Sequence, residues 1–196
     1  MAKYEDAAAA ELKEIRAIAE GDSAALQRLI AREGPRLLRF ARGILGNLEE
    51  AEDAVQDTLI RLWDNAARWT PDARIGTWLH RVCYNRSIDV LRRRRNFVDE
   101  SVLEDFPDPA GAPEANLIES QSALTLRAAI EALPPRQRTA ILLFHFQECS
   151  QREAAEIMGI SETALESMLA RARRQLKRWI ALQEASGRKG GDVGHA

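Results

Sequence analysis

Two dense groups of cations are the first residues in this chain whose types and spacing imply chemistry. Arg171, Arg173, Arg174, Lys177 and Arg178 form one, and Arg81, Arg86 and Arg92–Arg95 form the other. Guanidinium and ammonium groups at that density neutralise phosphates, so each group is a candidate surface for a nucleic-acid backbone. Acids are equally clustered. Glu49, Glu50, Glu52, Asp53 and Asp57 make one block, and the stretch from Asp99 to Glu119 carries acids without a single Lys or Arg. The formal net charge of −2 therefore hides a segregated pattern, and phosphate binding depends on local rather than total charge. Signals for catalysis are weak. The sequence has no Gly-rich phosphate loop, no His/Glu zinc motif and no nucleophile elbow. His145 and Cys149 stand one helical turn apart and could contact a metal, but no other thiol or imidazole is near in sequence, and Phe144 and Phe146 favour core packing. The many carboxylates fall into no two-metal pattern. No cofactor and no enzymatic activity are expected.

The C-terminal cations belong to the segment Ser150–Ile180, SQREAAEIMGISETALESMLARARRQLKRWI. Ala154, Ala155, Ile157 and Met158 give a short helix an apolar side, Gly159 supplies a turn, Ile160 packs beneath it, and Ser161 can cap a second helix. In that second helix Leu165, Met168, Leu169, Ala172, Leu176 and Trp179 recur at helical spacing. Ser161 leads a polar face of Thr163, Glu166, Ser167, Ala170, Arg171, Arg174 and Lys177. This is the outline of a helix-turn-helix that lays its second helix in a DNA major groove. A plain helical hairpin with a solvated charged face fits the same pattern.

Two further helices need explanation. Over 48–65, Ala51, Val55, Thr58, Leu59 and Leu62 share one side, while Asp53, Gln56, Asp57 and Ile60 face out together. An isoleucine among exposed acids is a candidate binding patch, with charge for orientation and an apolar centre for affinity; a solvated acidic face with one stray Ile is the alternative. The helix from Thr77 to Arg95 presents Trp78, Arg81, Asn85, Asp89 and Arg92 on one polar face. Its terminal Arg run attracts a polyanion, although cations there also complement the helix dipole. Trp69 and Trp78 can stack on unpaired bases or simply fill a core.

Composition sets the frame for these elements. At 196 residues and 45% apolar content the chain is large enough for two small folded units. Runs rich in Ala, Leu, Arg and Glu predict an all-α class. No apolar run approaches the roughly 18 residues of a membrane span, the acidic N-terminus is unlike a signal peptide, and two separated cysteines fit a reducing cytoplasm. Periodicity and turn residues predict an N-terminal helix within 1–19, a helical domain over 20–96, a flexible acidic Pro-containing linker over 97–116, a second helical domain over 117–183, and a disordered tail over 184–196. Helices are expected at about 5–19, 23–45, 48–65, 77–96, 117–132 and 135–148, ahead of the helix-turn-helix, with a loop over 66–76 and a possible disturbance at Gly34-Pro35.

The stretches AEDAVQDTLIRLW, TWLHRVCYNRSIDVLRRRR and LPPRQR, in that order and spacing, resemble the extracytoplasmic-function (ECF, group 4) sigma factors of the sigma-70 family, which are bacterial transcription initiation factors. The likeness runs from sigma region 2 (GDSAALQRLI through LRRRR) to sigma region 4 (LRAAIEALPPRQR through ARARRQL), leaving out the first helix and the tail. The resemblance implies that Asp53, Gln56, Asp57 and Ile60 meet the clamp helices of the RNA polymerase β′ subunit. It implies that Trp69, Thr77, Trp78, Arg81, Asn85, Arg92, Arg93, Arg94 and Arg95 serve recognition and opening of the −10 promoter element. Ser161, Thr163, Glu166, Ser167, Arg171, Arg174 and Lys177 would read the −35 element, in a domain that also docks on the β-subunit flap. The linker would thread into the polymerase cleft. An anti-sigma factor is an implied partner, and a monomer is implied when partners are absent. TALESMLARAR departs from a common family pattern like TVKSRLHRAR; Glu166 either accepts a hydrogen bond from a cytosine amino group or lowers non-specific DNA affinity. A stand-alone helix-turn-helix regulator would instead need an effector domain or a symmetric dimer interface, and an enzyme reading lacks a catalytic constellation.

Overall fold

The computed structural model describes the backbone of residues 2–70, 74–97, 121–147 and 149–189, and the side chains of 9–70, 74–94, 124–147 and 149–183. These residues form helices and turns, with no strand among them. The order is α1 (Ala2–Ala19), α2 (Ser23–Leu45), α3 (Leu48–Asn65), a 3-10 turn (Ala66–Arg68), α4 (Ile75–Phe97), α5 (Gln121–Glu131), α6 (Pro135–Ile141), a π-helical turn (Leu142–Phe146), α7 (Gln151–Met158) and α8 (Glu162–Lys189).

Helices α1–α4 make one packed group. In α2 the buried positions Leu29, Glu33, Leu37, Phe40, Ala41 and Ile44 recur at steps of three and four, the stripe that an amphipathic helix turns to a core. In α3 the equivalent stripe is Ala51, Ala54, Val55, Thr58 and Leu62. The α2–α3 hairpin is set by Gly46 at φ 70, a left-handed stop, and by Asn47, whose side-chain oxygen accepts from the Glu50 amide at 3.0 Å. Pro35 does not break α2, which runs through it; it only withholds an N–H from the carbonyl one turn earlier. Helix α1 packs on α2 and on the 3-10 turn, tied by Arg32 to Glu14 at 2.8 Å.

Helices α5–α8 make the second group. Pro135 occupies the first turn of α6, where its missing N–H costs nothing. The expected single helix over 135–148 instead widens into the π turn, where the Gln147 amide reaches back to the Leu142 carbonyl. Ser150 and Glu153 close a reciprocal capping box on α7, and Gly159 at φ 63 ends it. Helix α8 continues to Lys189, beyond the end at 183 expected from the sequence, so part of the stretch expected as tail is helical. The expectations for 98–120 and 190–196 concern positions outside the described residues. The two groups also touch: α4 packs on α7, and α2 on α6 and the π turn.

Candidate protein and nucleic-acid interfaces

The α3 patch has a clear geometry. Asp53, Gln56 and Ile60 are exposed, and Ile60 keeps 51% of its surface open. Asp57 is half-buried instead, with its carboxylate 2.5 Å from Arg86 Nε on α4. Of the four expected residues, Asp57 is thus also paired within the domain. What periodicity within one helix missed is the neighbouring groove. Gln56 and Ile60 form one wall with Leu59, Val55 and Trp63, and α2 supplies the other with Leu26, Ile30, Pro35 and Leu38. Its volume is about 960 Å³, and Ile30 and Trp63 are themselves exposed. A contiguous apolar groove with Glu52 in its lining is shaped for a helical or extended partner segment.

On α4 the expected residues separate into three kinds. Arg81, Asn85, Arg92 and Arg93 are exposed, although Arg92 stands 3.6 Å from Asp89. Arg94 is committed to the fold: its Nε donates to Glu50 at 2.9 Å and Nη1 to the Leu45 carbonyl at 3.1 Å, which satisfies a terminal acceptor of α2. The side chain of Arg95 lies outside the described residues. Near the start of α4, Trp69 and Trp78 pack edge to face at 5.3 Å, both half-buried, in the geometry aromatic pairs prefer. Thr77 is only 9% exposed. A contact that sequence spacing could not reveal joins α1 to this region: Glu11 accepts the Ile75 amide at 3.1 Å and the Arg74 guanidinium at 3.3 Å, capping α4 from 64 residues away. Pro71, Asp72 and Ala73, in the loop before Arg74, lie outside the described residues.

In α8 the division into two faces holds over residues 163–179. Leu165, Leu169 and Ala172 are buried, and Met168, Leu176 and Trp179 half-buried. Thr163, Glu166, Ser167, Arg171, Arg174 and Lys177 are all exposed, so one open polar and cationic face runs along the helix. Ser161 is exposed but already employed, its Oγ accepting the Ala164 amide at 3.1 Å as the helix cap. Glu153 in the capping box is held below the usual carboxylate range, chiefly by the Ser150 backbone N–H. His145 turns toward Arg173 at 3.4 Å, a cation that disfavours a metal there. The Cys149 thiol is pushed up to about 11 by burial.

Comparisons with known proteins bear on the family of the chain. Residues 29–97 match the family model for sigma-70 region 2, and residues 123–176 that for sigma-70 region 4. The RNA polymerase sigma factor NccH of Alcaligenes xylosoxydans xylosoxydans is 31% identical over 170 residues, covering 82% of this chain and 89% of NccH. The chain belongs to the sigma-70 family, in its ECF group. This ECF factor is also 32% identical over 169 residues to the ECF RNA polymerase sigma factor SigE of Mycolicibacterium smegmatis; the match covers 83% of the chain but only 65% of SigE. Among solved structures it is similar to CnrH in complex with the cytosolic domain of CnrY, with a TM-score of 0.64, 26% identity, and coverage of 90% of this chain and 98% of CnrH. It is similar also to the sigma factor RpoE in complex with the anti-sigma factor NepR from Bartonella quintana, with a TM-score of 0.65, 25% identity, and coverage of 79% and 96%. These relatives are named as transcription factors of the sigma class and not by an enzymatic activity. No described helix of this sigma-70 chain is long and apolar enough to cross a membrane.

Proposed function

We propose that this chain is a promoter-specificity subunit that joins core RNA polymerase in the cytoplasm and directs it to two unlike DNA elements. The observation that carries the reading is the coexistence of two exposed surfaces of opposite character in one chain. Region 2 offers the groove between α2 and α3, lined by Glu52, Gln56 and Ile60, with Asp53 exposed on the same helix. Region 4 offers the cationic outer face of α8. An apolar groove with acidic edges suits a protein partner, here the β′ clamp helices. A polar helix face with Arg171, Arg174 and Lys177 suits a phosphate-flanked major groove, here the −35 element.

In this reading α4 and the turn before it read and help open the −10 element. Arg81, Arg92 and Arg93 would hold phosphates, and the Trp69–Trp78 pair would brace the turn beside the extruded base rather than stack on it. Arg94 would act indirectly, by fixing α4 against the end of α2. Region 4 would also dock on the β flap, and the acidic linker would enter the polymerase cleft. The CnrH and RpoE complexes, with CnrY and with the anti-sigma factor NepR, support an anti-sigma partner for this chain as well. The domain limits 20–96 and 117–183 are the corresponding functional units.

The test is run-off transcription with purified core polymerase on a promoter library. Core-dependent, promoter-specific product is expected, and Asp53→Arg should remove it. Asp57 is the poorer target, because Asp57→Arg would also set a cation against Arg86. Absence of any core-dependent product, or tight binding to palindromic DNA without polymerase, would overturn the reading.

A further inference from the structure

Helix α1 ends before residue 29, where the sigma-70 region 2 match begins, and nothing in the promoter reading uses it. Ile15 and Ile18, each 1% exposed, seat it in the core. It nevertheless touches the segment between α3 and α4 from both sides. It packs on the 3-10 turn Ala66–Arg68, just before Trp69, and Glu11 reaches the first residues of α4.

The start of α4 needs an acceptor from elsewhere in the chain. The Trp78 amide reaches back to the Arg74 carbonyl at 3.0 Å, which puts Arg74 at the cap. An arginine side chain holds only donors, so it cannot satisfy the free amides of a first turn, and that turn carries no acid of its own. Glu11 supplies the acceptor: one carboxylate oxygen takes the Ile75 amide at 3.1 Å and the other the Arg74 guanidinium at 3.3 Å. Both bonds are charge-assisted, and the helix dipole favours a carboxylate at this end. A second route runs beside the first. Glu14 of α1 accepts from Arg32 at 2.8 Å, and Arg32 donates to Glu33 at 2.9 Å. Glu33 Oε2 in turn lies 3.8 Å from where a Cβ on Gly76 would stand. Arg36 and Glu153 line the same pocket as Glu11, Glu33 and Arg74, so its charge is mixed. It is the two-oxygen geometry of Glu11, not net charge, that ties α1 to α4.

Helix geometry carries this tie to the exposed face of α4. Trp78 follows Ile75 by less than one turn and Arg81 by less than two, so a change in how the helix starts re-aims both. We propose that Glu11 is a positioning residue for promoter recognition: from α1 it fixes Arg74 and Ile75, and thereby sets how the first two turns of α4 meet the −10 element. The second half rests on the reading of α4 as the −10 helix; the hold of Glu11 on the helix start does not. Glu11 itself touches no DNA in this account, and acts only through the backbone and side chain it holds.

The test uses the full chain, unaltered and as Glu11→Ala and Glu11→Gln. Amide hydrogen exchange followed by NMR should show the Ile75 amide exchanging roughly tenfold faster in Glu11→Ala. In run-off transcription with core polymerase on promoters that differ by single bases, Glu11→Ala should narrow the discrimination among −10 bases roughly fivefold. Discrimination among −35 bases, assigned to the distant α8, should stay within about twofold of the original. Glu11→Gln keeps an oxygen for the Ile75 amide but drops the charge, and should fall between the other two proteins in both measurements. A role in stability alone would lower product from every promoter by one factor and leave both discriminations intact; that result would overturn the proposal. So would an unchanged Ile75 exchange rate, or equal narrowing at the −10 and −35 elements. If the unaltered protein gives no promoter-specific product at all, the promoter reading fails instead, and the hold of Glu11 on α4 is still judged by Ile75 exchange.

Discussion

Replacing Ile60 by alanine should weaken binding to core polymerase while leaving the fold in place. Ile60 exposes 51% of its surface in the free chain, so about half of its apolar contribution remains to be gained on docking. Burying a whole aliphatic side chain contributes about 1.5–3 kcal/mol. Half of that is about 0.8–1.5 kcal/mol, or roughly a four- to twelvefold rise in Kd. The same truncation removes the half already packed against the groove, which lowers stability by a comparable amount. That is a small part of the roughly 5–15 kcal/mol that holds a domain folded, so the variant should melt somewhat lower yet be fully folded at 25 °C. Leu48 is the control: it is 43% exposed at the start of α3 but does not line the groove. Anisotropy titration of labelled protein with core enzyme should show the four- to twelvefold loss for Ile60→Ala and none for Leu48→Ala. Equal effects at both positions, or less than a twofold loss at Ile60, would refute the assignment of the groove as the docking surface.

Other outcomes follow from the same structure. Ser150→Ala removes the capping box of α7 and should cost about 1 kcal/mol, read as a lower melting temperature by circular dichroism. Because Glu153 is held below its ordinary value of 4.5, its stabilising contribution is complete above that pH and fades as pH falls through the lowered value; the gap between native and Ser150→Ala protein should therefore narrow in acid. Arg174→Ala should weaken DNA binding across sequences and reduce the slope of log K against log salt by roughly one unit. Glu166→Gln should instead change the preference among −35 bases, measured by selection from a random pool, if Glu166 reads a base edge; a uniform gain in affinity would assign it to charge alone. Cys83, whose thiol burial pushes up to about 12, should resist iodoacetamide at neutral pH until the chain is unfolded.

Much of the fold was legible because helices announce themselves locally. The α2 and α3 limits, the Gly46-Asn47 hinge and the Gly159-Ile160-Ser161 turn are each set by residues within a few positions of one another. The two faces of α8 follow from the 3.6-residue repeat alone. Boundaries shifted where distant partners intervene. Helix α4 begins at Ile75 rather than Thr77 because Glu11 caps its first amide from α1, and the helix over 135–148 widens into a π turn where Leu142 meets Gly43.

By itself, then, the order of residues determined the helical class, the helix-turn-helix, the charged faces and the family, all of which depend on local periodicity and on contiguous motifs. Tertiary structure alone decided which candidates are free to act. It committed Arg94 to Glu50 and Leu45, tied Asp57 to Arg86, paired Trp69 with Trp78 and buried Thr77. It also made the α2–α3 groove, which belongs to neither helix alone. The physical reason is that periodicity shows which side of a helix is polar, whereas ion pairs, caps and grooves depend on which other helix that side meets.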